Sequence, residues 1–185
     1  MIRTPGYQLN SFTNKDRLDS EVIIASVCRD RIVSESDLPF EKPSYVRFHF
    51  EGLNRFEVVE QQFCHWGVIF NNAIAIQPSN PYFPPHSGEM VIMGAPKNGL
   101  IEITFEQPVR FLAGFVTSSR GTVLSAYDRQ GTLLDRAELA NANLDNDGSS
   151  IPANTELKVQ SPQIYRVTFY AFEGQLIVDD ISFGF

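Results

Sequence analysis

The last ten residues, Leu176-Ile177-Val178-Asp179-Asp180-Ile181-Ser182-Phe183-Gly184-Phe185, restrict the fold more than any other stretch. They are rich in β-branched and aromatic side chains, which suit a covered, pleated strand. Alternate residues of a strand share a face, so Ile177, Asp179, Ile181 and Phe183 are expected to point the same way. That puts a carboxylate in line with three core-type side chains. A charge on a covered face needs a cation, a strong set of hydrogen bonds or a shifted pKa. Calcium, which takes several oxygen ligands, meets that need at a strand end. A second acid, Glu51, closes an earlier strand in Val46-Arg47-Phe48-His49-Phe50-Glu51. If that strand and the tail lie side by side, Glu51 and Asp179 can share one ion. The competing expectation is that Asp179 sits at the sheet rim and faces water.

The rest of the chain reads as more strands. Val46, Phe48 and Phe50 alternate with polar residues, as do Ile101, Ile103 and Phe105. Trp66 to Phe70 is apolar and then stopped by Asn71 and Asn72. Val109, Phe111, Ala113 and Phe115 share a face after Pro108, and Tyr165, Val167, Phe169 and Ala171 precede the tail. Asp128-Arg129-Gln130-Gly131 separates two strand-like runs, with glycine supplying a positive φ for a hairpin. Short strands and frequent turns predict an all-β fold, a two-sheet antiparallel β-sandwich (jelly roll), over residues 45–185. Hydrophobic residues make up 43% of the 185, with 15 phenylalanines, enough for a full core.

Residues 1–44 differ. They are charge-dense and end in Pro39-Phe40-Glu41-Lys42-Pro43. Leu18, Val22, Ala25 and Arg29 share a helical stripe, while Val22 to Val27 fits a strand equally well. The segment is expected to be an extension that packs on the domain or docks a protein partner.

A net charge of -7 argues against nucleic-acid binding and against docking on anionic membrane. No run approaches the roughly 18 apolar residues of a membrane span. The first residues do not read as a signal peptide, so the expectation is a cytoplasmic chain or one whose export signal has been removed. Cys28 and Cys64 fit either one disulfide or two thiols. Gly-x-Ser-x-Gly, His-Glu-x-x-His and a phosphate loop are all missing, and no catalytic residue is nominated. Cys64 and His65 are neighbours, which on a strand would point to opposite faces. Trp66, in a strong apolar run, reads as core.

Two loops are long. Residues 141–154 contain Asp145-Asn146-Asp147-Gly148, which matches part of a calcium loop with Asn143 first. Asn154 stands where a bidentate glutamate belongs, so an Asx-rich turn is the better reading. Residues 78–88 are proline-stiffened and carry Tyr82, Phe83 and His86, the candidate ligand contacts. Sugars stack their C–H faces on such rings; the alternative is that one or both rings plug the end of the sandwich.

In order, the elements resemble a family. Phe50-Glu51-Gly52-Leu53 is similar to its opening Phe-Asp-x-Leu, and Gly67-Val68-Ile69-Phe70-Asn71-Asn72 to its Gly-Val-x-Phe-Ser-Asn. Pro84-Pro85-His86-Ser87-Gly88 resembles its Pro-x-Ser-Gly loop. Phe105-Glu106-Gln107-Pro108-Val109 and Ala113-Gly114-Phe115 look like its Phe-x-x-Pro-Val and Gly-Phe strands. Ala126-Tyr127-Asp128-Arg129-Gln130-Gly131 resembles Ala-Tyr-Asp-x-x-Gly, and Val178-Asp179-Asp180-Ile181-Ser182-Phe183 its closing x-Asp-Asn-Ile-Ser-Phe. These are jelly-roll modules of secreted bacterial PEP-CTERM-type proteins, related to galactose-binding-like and carbohydrate-binding domains. The resemblance covers residues 45 to 185 and implies a calcium-stabilised sandwich outside the cell or on its surface. It makes Glu51 and Asp179 metal ligands, with Asn71 and Asn72 as neighbours. Glu51 for aspartate and Asp180 for asparagine are departures.

The expected function is therefore non-catalytic recognition, with calcium as a structural ion and a glycan as the ligand. The alternative is a structural or assembly subunit that docks a partner through residues 1–44. A hydrolase or lyase on a β-sandwich is the third reading.

Overall fold

The computed structural model describes residues 22–28, 43–94, 99–146, 148 and 150–185. Among them the chain forms β1 (Ile23–Ala25), β2 (Val46–Phe48), β3 (Val58–Val59), β4 (Val68–Asn71), β5 (Ala73–Ile76) and β6 (Val91–Gly94). Then follow β7 (Leu100–Ser118), β8 (Thr122–Tyr127), β9 (Leu133–Leu139), β10 (Thr155–Tyr170) and β11 (Leu176–Gly184). The helical pieces among the described residues are two 3-10 turns, Phe50–Gly52 and Cys64–Trp66. The all-β sandwich predicted from the alternation is what forms.

Two strands are longer than the sequence reading allowed. Pro108 was expected to separate two strands, yet it lies inside the 19-residue β7. The first part of β7 pairs with β4 through Phe105 and with the end of β10; its last part, from Phe111, pairs with β11 and the start of β10. Residues 106–108 are outside the register of all three ladders, although the Glu106 amide still donates to the Gly67 carbonyl at 2.8 Å. The β7–β10 ladder shifts register at the same level, between Gln160 and Ile164 and again before Arg166, which leaves Pro162 unpaired too. Proline cannot donate to a ladder, so a strand tolerates it at such a break. Both long strands thus carry their prolines where pairing is interrupted.

The core lies between the layers these strands join. Phe48 on β2 meets Phe70 on β4 at 5.3 Å and Phe183 on β11 at 5.1 Å between ring centroids. Phe63 and Phe50 complete the cluster, and Phe105 reaches Phe183 at 5.4 Å. Edge-on and tilted rings are the arrangements that aromatic quadrupoles favour. Phe48, Phe50, Phe63, Phe70, Phe105 and Phe183 therefore form one contiguous aromatic core.

Strand β11 lies between β6 and β7 along Leu176–Asp179 and between β2 and β7 further on, and all nine of its residues are buried. Its antiparallel pairing with β2 puts Phe183 opposite Val46, so early strand and tail do run side by side. The facing differs from the expectation. Asp180 has φ 45°, and the β7 register shifts between Asp179 and Ser182. A bulge of this kind adds one residue and moves the strand beyond it to the other face. Val178, Ile181 and Phe183 therefore share the main core, while Ile177 joins a separate cluster with Phe83 and Val91. Asp179 does not share its face with Ile181 and Phe183.

Val22 to Val27, left open between helix and strand, contains a strand. β1 pairs parallel with β2, Ala25 is fully buried, and the His49 amide donates to the Ala25 carbonyl at 2.9 Å. The 22–28 segment thus pairs with the domain through β2. Leu18, Arg29 and the rest of the expected arm lie outside the described residues. Cys64, His65 and Trp66 form a 3-10 turn rather than a strand, because Gly67 closes it in the left-handed conformation (φ 67°). Trp66 still packs against the main core, half-buried. Cys28 and Cys64 are not joined by a disulfide. The 128–131 hairpin forms as read, with Gly131 at φ 85° and the Asp128 carboxylate accepting from the Gln130 and Thr132 amides. Those amides lower the Asp128 pKa, the one from Thr132 most.

Candidate binding site at the loop edge

Asp179 and Glu51 act on the same loop from two sides. The Asp179 carboxylate accepts from the amides of His86 (2.8 Å) and Ser87 (3.0 Å) through Oδ2, and from the Asp180 amide (2.6 Å) through Oδ1. Glu51 Oε1 accepts from the amides of Glu89 (2.9 Å) and Met90 (3.0 Å). Between these pairs sits Gly88 at φ 58°, where an added Cβ would run into the Glu51 carboxylate. A side chain is excluded there twice, by the backbone angle and by the close acid. The end of the loop and the two residues after it are fastened by four amides, each on a carboxylate.

Asp180 adds a side-chain layer. Its oxygens meet His86 Nδ1 (2.6 Å), Ser87 Oγ (2.9 Å) and Arg47 Nε (3.3 Å). The His86 ring also stacks on Phe115, with centroids 3.6 Å apart. Burial raises the Asp179 pKa first, and the neighbouring Asp180 charge adds to this; the amides of Ser87, Asp180 and His86 oppose it. The covered carboxylate has thus taken two of the three ways out that its position demanded, hydrogen bonds and a shifted pKa.

Of the expected calcium ligands, Glu51 and Asp179 are brought to one cleft, but Asn71 and Asn72 do not line it. Glu51 and Asp179 line one 290 Å³ cleft with Arg47, His49 and Asp180. Asn71 lies at the end of β4, where its amide approaches Glu102 at 3.4 Å, and Asn72 makes the positive-φ turn into β5. Among the described residues no group of three or more His, Cys, Asp or Glu side chains is placed to hold a metal ion. The groups that do converge on Asp179 and Glu51 are N–H donors, with a guanidinium on Asp180. This donor set does not fit a calcium clasp as arranged.

The three candidate ligand contacts divide. Phe83 is buried in the cluster with Val91 and Ile177, so it plugs the sandwich. His86 belongs to the clamp. Tyr82 is 45% exposed and stands free at the surface. The neighbouring 141–154 loop packs beside it. The Asp145 amide donates to the Tyr82 carbonyl (3.0 Å) and Asn154 Nδ2 to the Pro84 carbonyl (3.1 Å). Asn143, counted as a first calcium-loop position, is fully buried: it accepts from the Ser118 amide and donates to the carbonyls of Val116 and Pro152. It is a structural pin, which the Asx-rich composition did not reveal. A 470 Å³ cleft opens here, with Pro84 as its wall from the 78–88 loop and the 141–154 loop supplying the rest, Asp145, Asn146, Ile151 and Asn154 among others; Tyr82 is not in its lining.

No protein-family model matches the chain, and no curated protein matches it in sequence. Several solved structures do resemble it. The carbohydrate-binding module TmCBM61, solved with beta-1,4-galactotriose, is 9% identical, covers 72% of this chain and 100% of its own, and gives a TM-score of 0.40. A DUF4465 family protein from Bacteroides caccae is 14% identical over 82% of this chain and 96% of its own, at 0.45. The enzymatically active domain of bacteriophage CBA120 tailspike protein 4 is 17% identical over 75% and 25%, at 0.34. The link to PEP-CTERM-type proteins rests on motif resemblance alone. At TM-scores this low the chain is similar to these structures without being assigned a family or a ligand by them.

Proposed function

We propose that this chain is a non-catalytic recognition module that binds a saccharide in the cleft between the 78–88 and 141–154 loops. One observation carries the reading: an exposed tyrosine, Tyr82, is held on a loop whose end is fixed by four amide–carboxylate bonds, beside a cleft lined by Asp145 and Asn146. An aromatic face binds the apolar side of a pyranose, and planar carboxylate and amide groups bind its hydroxyls. Fixing the loop beforehand removes part of the ordering cost of binding.

The test is a glycan array probed with the wild type, Tyr82→Ala and Asp145→Ala. Tyr82 is exposed and its ring is outside the core, so its loss should leave the melting temperature unchanged while weakening binding about tenfold or more. Phe83→Ala is unsuitable, since it opens the satellite core. A wild type silent on a broad array, or binding untouched by both substitutions, overturns the reading.

A further inference from the structure

A second cleft lies along β10, away from the loop edge. It measures 420 Å³ and is lined by Thr104, Glu106, Asp128, Arg129, Tyr165 and Arg166, with Phe105, Gln130 and Gly131 completing it. Two guanidinium groups are pinned on tyrosine rings there. Arg129 lies 5.5 Å from the Tyr165 centroid, and Arg166 lies 4.2 Å from that of Tyr127. Stacking holds a guanidinium in place while leaving its in-plane N–H edge available.

Two arginines (Arg129, Arg166) and three acids (Glu102, Glu106, Asp128) stand in and around this cleft, one negative charge in excess. Arg166 is paired with Glu102 at 3.0 Å. Asp128 is occupied by the amides of its own turn. That leaves the Arg129 guanidinium as a donor and the exposed Glu106 carboxylate as an acceptor; neither makes an ion pair among the described residues. A cleft with both a fixed fork of donors and a carboxylate, and one negative charge in excess, suits vicinal hydroxyls better than an anion. The chain's net charge of -7 also disfavours an acidic ligand.

We infer that this Arg129–Tyr165 cleft is a second saccharide site, selective for uncharged sugars. It rests on the saccharide reading above but uses none of the same residues. Asn154, just before β10, borders the first cleft and Tyr165, within β10, the second, so at the rise of a strand they are about 36 Å apart at most. One polymer chain of several sugar units can then engage both, and the second contact becomes intramolecular.

The experiment is calorimetry of the full chain with neutral oligosaccharides (galactotriose, xylotriose, cellotriose) and their uronate counterparts. Affinity electrophoresis in the parent polymers accompanies it. The wild type should bind a neutral trisaccharide with a stoichiometry of two and the uronates more weakly. Arg129→Ala and Tyr165→Ala should each reduce this to one, and loss of either site should weaken polymer retention by about 10²-fold. Circular dichroism checks that both variants remain folded. A wild-type stoichiometry of one that Arg129→Ala leaves intact but Tyr82→Ala abolishes overturns the second site alone. Binding lost in Arg129→Ala and untouched by Tyr82→Ala overturns the first site and keeps the second. Equal binding of uronates removes the claimed selectivity, and silence toward every probe overturns both sites.

Discussion

Asp179 commits both of its oxygens to backbone amides, and removing it leaves three buried or half-buried N–H groups without an acceptor. Asp179→Ala should therefore cost about 3 kcal/mol in urea unfolding. The pH dependence has a definite sign. Because the folded-state pKa is raised, Asp179 favours folding most below its unfolded value, and this contribution is lost as pH rises through the folded pKa. Comparing the pH–stability curves of wild type and Asp179→Asn should show that acid-side contribution vanish; identical slopes would refute it. Gly88→Ala tests the other side of the clamp and should destabilise by about 2 kcal/mol, from the positive φ and the Glu51 contact together. Sequence alone marked Asp179 and Glu51 as charges in need of partners. It could not show that the partners are main-chain amides, since every non-proline residue carries one and nothing in the residue type distinguishes those that are aimed.

At the scale of elements, alternation located most strands but misassigned one face. The period-of-two pattern in the tail is sound up to Asp179 and sound again from Ile181. What it cannot register is the extra residue between, because a bulge is a matter of φ. The composition leaves one trace: Asp and Asn are the non-glycine residues that best tolerate positive φ, and Asp180 occupies the position. Asp180→Asn should accordingly cost only about 1 kcal/mol, through Arg47 and His86, whereas Asp180→Val should cost about 3 kcal/mol through backbone strain as well. Equal effects in thermal melts would count against a strained bulge. Pro108 misled for a related reason. A proline breaks a ladder, and here the breaks fall within long strands, opposite one another, so the strand resumes on the far side.

For the molecule as a whole, two expectations can be checked on the intact domain. The hydrogen-bonded clamp predicts that EDTA leaves the melting temperature unchanged; a marked drop would restore calcium to this edge. A fragment of residues 45–185 loses β1 and the buried Ala25, so it should melt below the full chain, while an unchanged midpoint would make the 22–28 strand dispensable. The sandwich class was legible because it depends on summed pattern over many strands. The loop-edge cleft was only half legible: Tyr82 and the 141–154 loop were visible as separate features, but their adjacency depends on pairings between distant parts of the chain.

The strand at the middle of the ladder order, β11, is also the last of the eleven to be made. Until it arrives, β2 and β6 have no shared neighbour and β7 lacks one flank. Every closing contact spans a long stretch of polypeptide, a topology that folds slowly and only once synthesis of that strand is finished. A ribosome stalled just short of it would hold an unsealed sandwich with its phenylalanine faces uncovered, which is when a chaperone would be most needed.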